Sequence, residues 1–206
     1  MSKKFKNGNF INGFLIDIEY KIYTIDIDYV KMMNKIDSHI LWPEENDVVK
    51  NGRPYLGIVI SYNGVDYFAP LSSPKPGKDK KRIGSIIKLY ASNGKPLGKI
   101  KMNNCVAVKQ TKRDKIIKEF NMNIEVTDSK EIQNYKRLVV DEFIAINSND
   151  ILKQIRFKSK KYILGKDIHS SIKQYCVDND FLVKYVVEPD LFFEPKNIRE
   201  QKIQQI

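Results

Sequence analysis

Asn63-Gly64 stands between two apolar runs, Tyr55 to Ser61 and Val65 to Leu71. A two-residue connection between strands favours positive φ, which Asn and Gly tolerate, so the runs are predicted to pair as a tight antiparallel hairpin. A second Asn-Gly, Asn93-Gly94, repeats the pattern between Ser85 to Ala91 and Leu97 to Met102. Ile22 to Ile27 alternates and is rich in β-branched residues, Cys105 to Val108 is a short apolar run, and Asn123 to Val126 is a weaker strand candidate. Short antiparallel strands leave exposed edges unless the sheet closes. The expectation is therefore an α+β fold with a compact antiparallel β-barrel core surrounded by helices, with Phe181 to Val187 as the closing strand.

The helices follow from a change of period. Tyr29 to Ile36 is a short helix with Asp28 as its cap candidate. After Asp128-Ser129, the residues Ile132, Tyr135, Leu138, Val139, Phe143 and Ile146 recur at helical spacing. Another helix is predicted from Ser148-Asn149-Asp150 to about Gly165, and a third, short one over Ser170 to Cys176. With 206 residues, of which 42% are hydrophobic, the chain can build one core. The reading is an extension over 1–21, a single domain over 22–194 and a polar tail over 195–206.

Thirty-six Lys and Arg against 25 acids give a net charge of +11, which favours polyanionic partners, nucleic acid ahead of anionic membrane. The two cysteines, Cys105 and Cys176, lie far apart without zinc-type spacing. No apolar stretch approaches the roughly 20 residues that span a bilayer, so a cytoplasmic chain is expected.

The first hairpin delivers Ser72, Ser73 and Lys75 into a basic loop that carries Lys78, Lys80, Lys81 and Arg82. Two hydroxyls among cations suit a polyanion whose phosphates are held while one reacts. Further basic groups gather at Lys109, Lys112, Arg113 and Lys115, and at Lys153, Arg156, Lys158, Lys160 and Lys161. Each is a solvated face or a phosphate-binding surface. Of these, Lys112, Arg113, Arg156 and Lys160 are the RNA-binding candidates outside the loop. Simple ribonucleases commonly use histidine for proton transfer, yet His39 and His169 both lie outside this motif. No carboxylate or His pair has metal-ligand spacing and no Gly-rich phosphate loop occurs, so neither a metal nor another cofactor is expected.

Ile22-Tyr23-Thr24-Ile25 with Tyr29-Val30-Lys31 resembles the opening of the ToxN/AbiQ family, the endoribonuclease toxins of type III toxin–antitoxin systems. Arg53-Pro54-Tyr55-Leu56-Gly57-Ile58-Val59 and Tyr67-Phe68-Ala69-Pro70-Leu71-Ser72-Ser73-Pro74-Lys75 resemble its two central signatures. Tyr135-Lys136-Arg137 is similar to a further family feature. The resemblance implies a Kid/MazF-like barrel and metal-independent RNA cleavage that leaves a 2′,3′-cyclic phosphate. It also implies processing of a repeated, pseudoknotted antitoxin RNA that inhibits the toxin in a closed RNA–protein assembly, with cellular or phage RNA as substrate and a role in abortive phage infection.

The positions it carries over are Tyr29, Arg53, Ser72, Ser73 and Lys75. Arg53 stands where the family often has lysine; it keeps the charge but cannot serve as a base. Ser72 stands where threonine is common, and Val140 where some members have tyrosine. On this reading Ser73 holds the scissile phosphate or relays a proton, Lys75 supplies the leaving-group proton, Arg53 offsets charge, and Tyr29 stacks on a base or orients the sugar. The alternative from another class is a non-catalytic RNA-binding barrel, which the same cations and aromatics would serve.

Overall fold

The computed structural model describes residues 10–11, 14–15, 20–41, 52–74, 84–164, 177–178 and 186. β1 (Phe10–Ile11) and β2 (Phe14–Leu15) form a separate two-stranded ladder. β3 (Lys21–Ile25) leads into α1 (Ile27–Ile36). Asp26, not Asp28, caps this helix: its carboxylate accepts from the backbone N–H groups of Asp28 and Tyr29, each at 3.0 Å. Asp28 is already helical, and its charge in the first turn suits the positive end of the helix dipole.

β4 (Pro54–Tyr62) and β5 (Val65–Ser72) form the expected hairpin, with φ +50° at Asn63 and +74° at Gly64. β6 (Ile86–Tyr90) and β7 (Pro96–Lys101) form the second. β8 (Val106–Lys109), α2 (Arg113–Ile116) and β9 (Ile117–Glu119) follow. α3 (Lys130–Ile146) starts at Ser129, whose hydroxyl accepts from the Ile132 N–H at 3.3 Å. α4 (Asn149–Ile163) has Ser148 at its N-cap position.

Two strand assignments change. The 123–126 stretch is not a strand, because the Asn121 and Asp128 side chains take up the N–H groups of Asn123 and Glu125 in local turns. β9 was hidden by its exposed Lys118 and Glu119, yet it pairs with β3 through Ile25 opposite Ile117.

The antiparallel strands run in the order β6-β7-β5-β4-β3-β9, with β8 paired to β5. This seven-stranded sheet is not the closed barrel expected from the sequence: β6 and β9 are the ends of its path, and no pairing among the described residues joins them. The reason lies in β5, which divides its second edge. Its first half pairs with β8 and its last residues with β7, so the additional strand branches from the middle instead of linking the ends. Val186, the described residue of the expected closing strand, is buried and helical. The rest of that strand, the Ser170 to Cys176 helix, Gly165 and the 195–206 tail lie outside the described residues.

Hydrophobic burial holds these layers together. Ile22, Leu56, Ile60, Phe68, Leu89 and Ile100 are all essentially inaccessible, and each such side chain contributes about 2 kcal/mol. α3 lays Val139, Glu142 and Ile146 against β6 and β7, which makes the α3 side of those strands the inner face.

Candidate functional site

Pairing register places the signature residues. Between Leu56 and Ile60 the β4–β5 ladder slips, so that Tyr55 faces Pro70 and Leu56 faces Ala69. Continued beyond Tyr55, the same register sets Arg53 opposite Ser72 and Gly52 opposite Ser73. On the other side of β5, Ser72 faces Lys99, and Lys99 faces Lys88. Residues directly opposite across strands share a face. Arg53, Ser72, Lys99 and Lys88 therefore form one row across β4, β5, β7 and β6, about 14 Å long at the usual strand spacing. Within the row Lys99 is buried, whereas Lys88 is half-buried. Lys88 and Lys99 were not singled out from the sequence, although counting outward from Asn93-Gly94 pairs them.

Ser72 and Arg53 are half-buried and Ser73 is exposed at the end of the hairpin. Continuing the β5–β7 register sets Gly98 on the other side of Ser73. Both lateral neighbours of Ser73 thus lack a Cβ; the place of the Gly98 Cβ is taken by the Glu142 carboxyl, and that of the Gly52 Cβ adjoins Thr24. Gly52 also needs to be glycine for its φ of +96°. A cavity of about 530 Å³ adjoins this end of the hairpin and is lined by Gly52, Thr24, Lys115, Lys118, Phe120 and Tyr135, among others. The two aromatic rings meet edge to face with centroids 6.1 Å apart.

Tyr29 is not brought to this row. Its hydroxyl donates to the Ala107 carbonyl at 2.6 Å, and Ala107 faces Tyr67 well up β5 from Ser72. Lys75, Lys78, Lys80, Lys81 and Arg82 lie outside the described residues, as does His169. Lys112 and Arg113 are exposed, and Arg113 is tied to the buried Asp66 at 3.2 Å. Arg156 and Lys160 are exposed on α4. Lys158 instead turns inward and donates to the Ile86 carbonyl at 2.7 Å, and burial pushes its pKa down. His39 is held locally, with Nδ1 2.8 Å from Asp37 Oδ1.

Lys136, from the Tyr135-Lys136-Arg137 motif, acts as a structural pin. Its buried amine donates to Asp128 Oδ2 and to the Asn123 carbonyl, each at 2.7 Å, and this holds the Asp128 carboxyl below its usual range. Glu142 is the other buried charge-bearing side chain of α3, and desolvation pushes its pKa up to about 8. Among the described residues, no three His, Cys, Asp or Glu side chains are grouped to hold a metal ion, and no helix is long and apolar enough to cross a membrane.

The family model for the toxin ToxN of type III toxin–antitoxin systems matches residues 21–187. The chain belongs to the ToxN family. Its curated relatives include endoribonuclease ToxN of Bacillus thuringiensis subsp. kurstaki, 28% identical over 43% of this chain and 43% of that protein. Endoribonuclease AbiQ of Lactococcus lactis subsp. lactis is 29% identical over 46% of this chain and 54% of that one. Endoribonuclease ToxN of Pectobacterium atrosepticum is 31% identical over 41% and 49%. The ToxN-family chain thus spans about half the length of the curated relatives it matches. Its fold is shared with a solved type III toxin–antitoxin structure concerned with toxin inhibition by a non-coding RNA pseudoknot, at a TM-score of 0.66 and 22% identity, covering 84% of this chain and 98% of that one. AbiQ, a lactococcal anti-phage endoribonuclease, aligns over the same shares with a TM-score of 0.64 and 22% identity.

Proposed function

We propose that this chain is an endoribonuclease toxin of a type III toxin–antitoxin system. The observation that carries the reading is the cross-strand row Arg53, Ser72, Lys99 and Lys88, in which Ser72 is the chain neighbour of Ser73. Such a row grips a phosphodiester through fixed cations and hydroxyls, and the relatives named endoribonucleases fit that use.

Cleavage proceeds by attack of the ribose 2′-oxygen on the adjacent phosphorus as its proton passes, relayed by the Ser73 hydroxyl, to solvent water; the P–O bond to the 5′-oxygen breaks and a 2′,3′-cyclic phosphate is left. Ser73 and nearby backbone N–H groups hold the phosphate while Arg53 and Lys99 offset the charge that grows on its oxygens. A preorganised donor of this type contributes about 3–4 kcal/mol. Lys75 supplies the proton to the leaving oxygen. The lined cavity beside Gly52 accepts the neighbouring nucleotide, and Lys112, Arg113, Arg156 and Lys160 hold more distant phosphates. Tyr29, whose hydroxyl is tethered to β8, stacks on a base or orients the sugar through its ring. The physiological partners are a repeated antitoxin RNA, processed and then bound as an inhibitor, and cellular or phage transcripts.

Purified protein incubated with RNA in EDTA tests the reading. Site-specific fragments ending in cyclic phosphate, lost by roughly a hundredfold in Ser73→Ala, are expected. Tight RNA binding without products would instead identify a non-catalytic RNA-binding module. Cleavage by Ser73→Ala at the normal rate would remove Ser73 from the chemistry.

A further inference from the structure

Glu142 is an acid in the middle of an apolar stripe. Its α3 neighbours on that stripe, Val139 and Ile146, are fully buried, and Glu142 itself is only 3% exposed. Its carboxyl fits because β7 carries glycine beneath it. A Cβ added to Gly98 would stand 1.9 Å from Glu142 Oε1 and 3.1 Å from the carbonyl oxygen of Ser72. The carboxyl oxygen and the Ser72 carbonyl oxygen therefore flank the same point, on the inner face directly beneath the Ser72–Ser73 turn. The two oxygens are thus at most about 5 Å apart, and two such acceptors are compatible at close range when one carries a hydrogen.

We propose that Glu142 is a positioning residue for the cleavage site: as a carboxylic acid it donates its O–H to the Ser72 carbonyl and so fixes the Ser72–Ser73 turn from below. Ionisation removes the donor and sets a negative charge against the carbonyl, which releases the turn. Burial already favours the protonated form at neutral pH. The other charged and titratable groups on elements packed against α3 are Lys88 and Tyr90 on β6, Lys99 and Lys101 on β7, and Lys158, Lys161 and Tyr162 on α4, whose Asp150, Lys153, Arg156 and Lys160 are exposed. Lys88, Lys99 and Lys101 sit on the opposite pleat from Gly98, and Lys158 is committed to the Ile86 carbonyl. Glu142 does not touch RNA; it acts through the backbone that presents Ser72 and Ser73.

The inference rests on the cleavage reading for its activity test, so two readouts are used. In the first, single-turnover RNA cleavage is followed from acid to alkaline pH for the wild type, Glu142→Gln and Glu142→Leu. Gln keeps a donor at every pH, so the ratio of its rate to the wild-type rate is expected near one in the neutral range, rising roughly tenfold one unit above the Glu142 midpoint. Glu142→Leu, which has no donor, is expected to cut about tenfold to a hundredfold more slowly with unchanged RNA affinity. A flat Gln-to-wild-type ratio, or a folded Leu variant that cuts at the wild-type rate, overturns the proposal.

The second readout is carboxyl-carbon NMR of the intact protein, which needs no catalysis. The Glu142 resonance is expected to titrate well above the usual glutamate range, with the Ser73 and Gly98 amides moving at the same midpoint. Titration in the usual range, or silent amides, overturns the proposal even if the protein cuts RNA. An absence of RNA products from the wild type with coupled titration intact would reject the cleavage reading and leave the Glu142–Ser72 link standing.

Discussion

Gly57 lies so close under the Phe68 ring that a Cβ on it would sit 2.2 Å from Cδ1 and 2.5 Å from Cε1. Phe68 is fully buried and meets Tyr23 edge to face at 5.5 Å, so the ring has little room to retreat. Glycine at this point of the Arg53-to-Val59 signature is thus a packing requirement of the strands that carry the site. Gly57→Ala is expected to lower unfolding stability by about 3 kcal/mol. Urea unfolding midpoints measure this, and Phe68→Leu combined with Gly57→Ala should recover part of the loss.

Asp66 holds the basic segment after β8 in place. Its buried carboxylate accepts from the Ser61 hydroxyl at 2.6 Å, the Gln110 amide at 2.8 Å and Arg113 at 3.2 Å. Asp66→Ala strands these donors and is expected to cost about 3 kcal/mol. Asp66→Asn, which keeps an acceptor for the hydroxyl, should cost less. Chemical denaturation of the two variants ranks them, and equal losses would mean that the charge, not the hydrogen bonding, does the holding.

Lys88 and Lys99 are assigned to RNA phosphate. Replacing either with Met should weaken RNA binding and lower the slope of log affinity against log salt by about 1 for each phosphate no longer neutralised. Filter binding across a salt series reports the slope. An unchanged slope would place the bound RNA on another surface.

Glu142 makes stability depend on pH. The folded chain keeps this proton up to about pH 8, whereas the unfolded chain releases it in the usual glutamate range, so the native state binds the extra proton between those limits. Stability is therefore lost as pH rises through that window, by about 1.4 kcal/mol per unit at most. Glu142→Gln should be free of this component, and the difference in its urea midpoint from the wild type should grow from acid to mildly alkaline pH. A constant difference would mean that Glu142 releases its proton over the same pH range in the folded and unfolded chains.

The two hairpins, the cap at Ser129 and the family could all be read along the chain, because each is written in local chemistry. Asn-Gly tolerates positive φ, and a serine hydroxyl reaches an N–H within its own helical turn. The Lys88–Lys99 pairing was legible too, by counting outward from Asn93-Gly94. Arg53 was different. Counting outward from Asn63-Gly64 pairs it with Pro74, and only the slip between Leu56 and Ile60 brings it to Ser72.

Glu142 was also beyond local reading: the α3 periodicity pointed to Phe143 at that level, yet Phe143 is half-buried while Glu142 fills the space above Gly98. The open path of the sheet was likewise decided by how β5 shares its second edge between β7 and β8. Bulge, edge sharing and glycine gap depend on segments distant in sequence. Their energies come from shared burial and register, which no short stretch of the chain encodes alone.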